Sequence, residues 1–303
     1  MSNSGRIKLN DALEISRIVS GVWRLAEWKL SDQELVTLIK QSIELGVTTF
    51  DHADIYGNYE CEKLFGRALA LEKDLKNKIE IVTKCGIVLA SDKYPERKLK
   101  VYDYSFNHIV GSVERSLVNL GVDHIDMLLL HRPAPFFDPE EVARAFNHLQ
   151  KQGKVRHFGV SNFTPMQFDM LNTVADQKLV TNQVEISPYC LDHFENGNID
   201  FCLKEKIKPM AWSPLAGGKL LNPTDEKSKR IHSALETVTE SLQVNSIDQV
   251  IYAWLANHPS RIIPVVGTSK IDRIKNAVDA LQLKLNLEQW YAIYNASTGK
   301  ELP

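Results

Sequence analysis

Asp51, Tyr56, Lys84 and His131 are side chains whose types, brought together, can move a proton onto a carbonyl oxygen. A tyrosine is a poor acid near neutral pH, and a neighbouring ammonium lowers its pKa by favouring the phenolate. Lys84 can supply that charge, Asp51 can keep Lys84 protonated, and His131 can hydrogen-bond a carbonyl and aim it. Such a set donates a proton as hydride arrives at the carbon. The hydride has to come from a bound cofactor, because no side chain supplies one.

These residues lie far apart in the chain, so the elements that carry them must bring them together. Short apolar or β-branched runs alternate with longer amphipathic stretches, the pattern of βα units around a parallel sheet. Strands are predicted near Ile18 to Trp23, Val47 to Asp51, Ile79 to Lys84, Ile125 to His131, His157 to Ser161, Thr181 to Glu185, Lys208 to Trp212 and Ile262 to Val266. Helix starts are marked by Ser31 with Glu34, by Asp138-Pro139 with Glu141, by Thr164-Pro165 with Gln167 and by Ser246 with Gln249, and Gly46 is a candidate terminator. The expected fold is α/β, a (β/α)8 TIM barrel with an N-terminal extension and a C-terminal tail or helix.

In such a barrel the active site is built where the strands end. Polar residues do cluster just past the apolar runs: Asp51 and Tyr56, Lys84, His131, Ser161 and Asn162, Gln183 and Glu185, Trp212 and Ser213, then Gly267 to Lys270. The stretches 85–104, 189–198 and 213–224 are expected to be long loops, and the tail after Leu285 irregular. Long loops in a compact barrel are usually functional.

Composition narrows the partners. The 303 residues are 44% hydrophobic, and no Pro, Gly or Ser-rich linker divides them, so one domain over 1–303 is expected. With 36 Lys plus Arg against 38 Asp plus Glu, no net field draws the chain to nucleic acid or an anionic membrane, and a small, nearly neutral partner is the default. Cys61, Cys85, Cys190 and Cys202 form no C-x-x-C pair and are expected to be reduced thiols. The first residues lack an apolar signal core and runs such as Ile125 to Leu130 are too short to span a bilayer, so a cytoplasmic location is expected.

The chain resembles the aldo/keto reductases along nearly its whole length. The resemblance rests on Asp51-His52-Ala53-Asp54-Ile55-Tyr56, Val82-Thr83-Lys84, Leu128-Leu129-Leu130-His131-Arg132-Pro133, Gly159-Val160-Ser161-Asn162-Phe163, Trp212-Ser213-Pro214-Leu215 and Gly267-Thr268-Ser269-Lys270, in that order. It implies a catalytic tetrad of Asp51, Tyr56, Lys84 and His131, with Tyr56 as general acid in reduction and general base in oxidation. It also implies NADPH (NADP+) as cofactor and an aldehyde or ketone as substrate. Ser161, Asn162 and Gln183 would bond the nicotinamide carboxamide, and Trp212 would stack on its ring. Ser213, Pro214, Leu215, Gly217 and Lys219 would line the pyrophosphate, and Gly267, Thr268, Ser269, Lys270 and Arg273 would engage the adenosine end with its 2′-phosphate. Val22, Trp23 and Asn276 complete the implied contacts. Asn276 and Ala277 depart from the glutamate and asparagine common in the family.

Other readings compete for some of these residues. A cofactor-binding regulatory subunit with little turnover is the alternative to an enzyme, and a metal-dependent barrel would need more ligands than His52 near Asp54. The basic run Lys93, Arg97, Lys98 and Lys100 could attract anionic substrates across the mouth, but a solvated loop is the preferred expectation for it, and an inert thiol for Cys85. Trp23 and Arg24 are expected to line the mouth.

Overall fold

The computed structural model describes residues 5–302; residues 1–4, on which the expected cytoplasmic location partly rests, and residue 303 lie outside the description. Strands β1 (Arg6–Lys8) and β2 (Glu14–Ser16) pair as an antiparallel hairpin. Next come β3 (Val19–Gly21), β4 (Thr49–Asp51) and β5 (Glu80–Cys85), then a second hairpin of β6 (Ile87–Val88) and β7 (Val101–Tyr102). The chain continues through β8 (Ile125–Leu130), β9 (Val155–Ser161), β10 (Asn182–Glu185), β11 (Met210–Trp212) and β12 (Ile263–Val266).

Eight of these strands close a parallel barrel in the order β3, β4, β5, β8, β9, β10, β11, β12 and back to β3. Each lies within or beside a predicted strand, because fully covered parallel strands must be apolar through their middles. Register sets Asp51 beside Gly21, Lys84 beside Leu129 and Gln183 beside Ser161, so the polar residues that follow each apolar run share one rim. The interior is filled by Val19, Val82, Met127, Leu129, Met210, Ile263 and Val265.

Ile7, Leu9, Leu13 and Ile15 of the first hairpin pack onto that interior. At about 1.5–3 kcal/mol for each buried aliphatic side chain, this N-terminal segment is a structural plug rather than a loose extension.

All four expected helix starts are present, with different capping bonds. Ser31 with Glu34 and Thr164 with Gln167 form reciprocal capping boxes, and Gly46 follows the Asp32–Glu44 helix at φ +82°. Asp138 is the N-cap as expected and accepts from Glu140 N, with Pro139 at the first helical position, while Glu141 accepts from Phe106 N and ties its helix to the neighbouring Phe106–Leu120 helix. Ser246 does not cap the backbone, because its hydroxyl is engaged by Asp248.

The tail is not irregular. Leu287–Thr298 is a helix opened by a capping box of Asn286 and Gln289, a signal present in the sequence. Its Trp290 stacks on Trp254 at 4.8 Å, and each indole N–H donates to the other residue's carbonyl at 3.1 Å. Among the described residues no helix is long and apolar enough to cross a membrane.

Candidate active site

Asp51 ends β4, Lys84 is the penultimate residue of β5, and His131 follows β8. Tyr56 reaches them because the chain winds tightly after β4: Gly57, Asn58 and Tyr59 all have positive φ. A Cβ on Gly57 would lie 2.6 Å from Cys61 Sγ and 2.9 Å from Ala26 Cβ, so this turn tolerates only glycine there.

Lys84 is 1% exposed and spends all three ammonium hydrogens inside the protein. They go to Asp51 Oδ2 at 2.7 Å, His52 O at 2.8 Å and Tyr56 Oη at 3.0 Å. Tyr56 therefore accepts from Lys84, and its own hydrogen is free for another acceptor. The His131 ring lies edge-on to Tyr56 at 5.7 Å, with Nδ1 buried and without a partner.

Electrostatics correct one expectation. Burial pushes the Tyr56 phenol above its usual pKa, outweighing the downward pull of Lys84, and Asp51 adds to the rise. Burial alone would lower Lys84, but Asp51 and Tyr56 reverse this and hold its ammonium above the usual range. His131 is driven well below its ordinary value by burial and by the positive charges of Lys84, Arg132 and Lys100, so it is a neutral imidazole at pH 7. Burial also pushes the Cys85 thiol well up, consistent with an inert thiol.

A cavity of about 790 Å3 opens over these groups. Its wall includes Asp51, Tyr56, His131, Ser161, Asn162, Gln183 and Trp212. Trp23, Ser213, Pro214, Leu215, Gly217, Gly267, Thr268 and Arg273 also line it. Val22, Lys219, Ser269, Lys270 and Asn276 lie outside the lining. Val22 is buried in the core, and Asn276 donates to the Asp248 carboxylate at 3.1 Å.

The three residues expected to hold a carboxamide already bond one another. Ser161 Oγ donates to Gln183 O at 2.8 Å and accepts from Asn162 Nδ2 at 2.8 Å. Gln183 Nε2 donates to Asp51 Oδ1 at 2.9 Å, and the Trp212 indole donates to Asn162 Oδ1 at 3.0 Å. The Trp212 ring and the amide cluster are thus one hydrogen-bonded unit, continuous with the Lys84 pair.

A nicotinamide dinucleotide fits the remaining wall. Gly217 and Gly218, at φ +66° and +98°, leave open space where a Cβ would stand, so phosphates can approach the backbone. Arg273 lines the cavity with no carboxylate partner within 4.0 Å among the described residues, a free cation at the expected 2′-phosphate end. Among those residues no three His, Cys, Asp or Glu side chains gather to hold a metal ion.

Arg24, Asn58, Leu89, Lys100, Arg132, Leu221, Asn222 and Tyr252 also face the cavity. Of these Arg24 was expected at the mouth, and Lys100 only as the less favoured reading of its run. Lys100 came from a run expected to be solvated, and the other members of that run are engaged too: Lys93 pairs with Glu60, and Arg97 lies 3.6 Å from the Tyr94 ring centroid. The β6–β7 hairpin folds this stretch over the barrel mouth, a non-local pairing that no local pattern announces.

Trp23 is 64% exposed and projects at the cavity edge. Trp23→Ala is expected to shift the ratio of kcat/KM for bulky over small carbonyls by about tenfold. Stability should change by no more than about 0.5 kcal/mol, because the ring is largely in water. An unchanged substrate profile would remove Trp23 from the pocket wall.

The aldo/keto reductase family model matches residues 17–297. The chain is 51% identical over 298 residues to the uncharacterised oxidoreductase YcsN of Bacillus subtilis, covering 98% of this chain and 99% of that one. It is 41% identical over 298 residues to a 6-dehydroglucose reductase of Agrobacterium fabrum, with the same coverage. The solved aldo/keto reductase of Klebsiella pneumoniae in complex with NADP and acetate superposes with a TM-score of 0.78 at 23% identity, over 96% of this chain and 94% of that one.

Proposed function

Because this chain belongs to the aldo/keto reductase family and is an oxidoreductase, we propose that it reduces an aldehyde or ketone to an alcohol with NADPH, reversibly, using Tyr56 as general acid and base. The observation that carries this reading is the hydrogen bond from Lys84 to Tyr56 at 3.0 Å, in a cavity that His131 also lines. It leaves the phenolic hydrogen as the one free to meet a carbonyl oxygen. The sugar-aldehyde name of the Agrobacterium relative makes polyhydroxylated aldehydes the first substrates to try.

Asp51, Tyr56, Lys84 and His131 divide the work in this proposal. His131, held neutral, orients the carbonyl through a ring N–H without competing as an acid. Tyr56 passes its proton to the carbonyl oxygen, and the resulting phenolate is held by the Lys84 hydrogen bond and by the ammonium charge 4.9 Å from the ring centroid. Asp51 keeps Lys84 charged and fixed. Ser161, Asn162 and Gln183 would hold the nicotinamide amide, with Trp212 beneath its ring. Ser213 to Gly217 would meet the pyrophosphate, and Arg273 the 2′-phosphate. When bound there, NADPH supplies the hydride equivalent. A cytoplasmic location and a single domain belong to the same proposal.

Fluorescence titration with NADPH and NADH, followed by absorbance loss over a panel of carbonyls, tests it. Tight NADPH binding with turnover is expected. Binding without turnover would favour the regulatory-subunit reading, and no binding would overturn the cofactor assignment. Arg273→Met should lower the ratio of NADPH to NADH affinity roughly tenfold to a hundredfold, the worth of a charge-assisted phosphate contact. A ratio that stays put would place the 2′-phosphate elsewhere.

A further inference from the structure

The side chains facing the cavity are not charge-balanced. Arg24, Lys100, Arg132 and Arg273 line it against one carboxylate, Asp51, which Lys84 already neutralises. Arg24 is paired with Glu27 at 2.6 Å, and Arg273 lies on the helix Ile271–Asp279 at the expected cofactor end. That leaves Lys100 and Arg132, neither of which has a carboxylate within 4.0 Å among the described residues. Glu185 lies within the field of Arg132 but does not pair with it.

The backbone that carries these two cations is held in place. Tyr104 Oη accepts from Arg132 N at 3.0 Å and donates to Arg132 O at 2.5 Å, clamping the backbone that carries the guanidinium. Burial pushes the Tyr104 phenol well up, so it keeps the hydrogen this clamp needs. Tyr104 itself packs over Gly86, where a Cβ would come 1.9 Å from its ring. The same excursion carries Lys100 immediately before β7, with Nζ 5.6 Å from the Tyr102 ring centroid. The β6–β7 pairing and the Tyr104 clamp therefore set the backbone of Lys100 and of Arg132 on the same side of the cavity as His131. Arg132 also lies 5.4 Å from the Trp212 ring, which sets it beside the expected nicotinamide platform.

We propose that Lys100 and Arg132 form an anion subsite of the substrate pocket, so that the substrate is a carbonyl compound bearing a carboxylate or phosphate group. This rests on the carbonyl-reductase reading above. With the carbonyl oxygen at Tyr56 and His131, the rest of the substrate extends under the β6–β7 hairpin, where the anion meets the two cations. Arg132 offers a planar fork to two oxygens, and Lys100 a mobile point charge at the rim. A cleft walled by protein focuses the field of such charges and draws in anions even when the whole chain is close to neutral.

The test compares matched substrates at saturating NADPH: succinic semialdehyde against butanal for a carboxylate, and glyceraldehyde 3-phosphate against glyceraldehyde for a phosphate. The native protein is expected to favour an anionic member by at least about tenfold in kcat/KM, chiefly through KM. The pair that shows the preference identifies the anion. Lys100→Met and Arg132→Met should each reduce that ratio about tenfold, and raised salt should reduce it as well. Lys100 is exposed, so its variant tests the subsite even if the Arg132 variant fails to fold. Turnover with no anionic preference, or a preference that both folded variants retain, overturns the subsite while leaving the reductase assignment standing. Failure to reduce any carbonyl while binding NADPH overturns the reductase reading and the subsite with it.

Discussion

Tyr56→Phe is expected to lower kcat for carbonyl reduction by about 10²–10⁴-fold while NADPH still binds. The substitution keeps the ring that faces His131 and removes only the oxygen that accepts from Lys84. By the usual conversion the loss corresponds to about 3–5 kcal/mol of transition-state stabilisation. The pH profile separates this role from a structural one. Because burial raises the Tyr56 pKa, the phenol is protonated throughout the neutral range. Reduction, which needs the proton, should stay level there and fall only as pH climbs through the raised value. Oxidation of the alcohol needs the phenolate and should rise in the same alkaline range. Stability should change by only about 1 kcal/mol, the worth of one hydrogen bond. Stopped-flow or steady-state absorbance at saturating NADPH gives the result. A phenylalanine variant that keeps native turnover would sink the general-acid assignment.

Lys84→Met should do more damage to the fold as well as to the chemistry. Its ammonium and the Asp51 carboxylate are both buried, at 1% and 4% side-chain exposure, and bonded at 2.7 Å. Removing one member strands the other charge, which costs about 3–5 kcal/mol in comparable buried pairs. The methionine also removes the donor that would stabilise the Tyr56 phenolate, for a further fall in kcat of about 10²–10³-fold. Urea unfolding distinguishes the two effects. Adding Asp51→Asn to Lys84→Met should restore part of the lost stability, since no unpaired carboxylate remains, but none of the lost activity. A single variant that loses less than about 1 kcal/mol would show that this pair does not carry the buried charge balance.

The strands were legible because a parallel barrel strand is covered on both faces and must be apolar, which leaves a run that a local window can see. The polar residues after each run were legible for the same reason. Asp51, Tyr56, Lys84 and His131 lie on the shared rim because barrel closure and parallel register bring all the strand ends together. The C-terminal helix carries its signal in Asn286 and Gln289, the capping-box pair that opens it.

The lysine run was harder to place. Lys100 has the local context of a solvated loop, and the pairing of Ile87–Val88 with Val101–Tyr102 brings it to the cavity. Net charge is silent on the same point, because a chain average carries no information about which charges face one cleft. The sign of the Tyr56 shift also needed the fold. Sequence supplies the neighbouring ammonium, but desolvation depends on how deeply the ring is packed, and here it wins. Residue types, strand periodicity and motif order were therefore enough to determine the family, the barrel and the rim. The pairing of distant segments, and the burial that follows from it, decided which charges stand free and which protons are held.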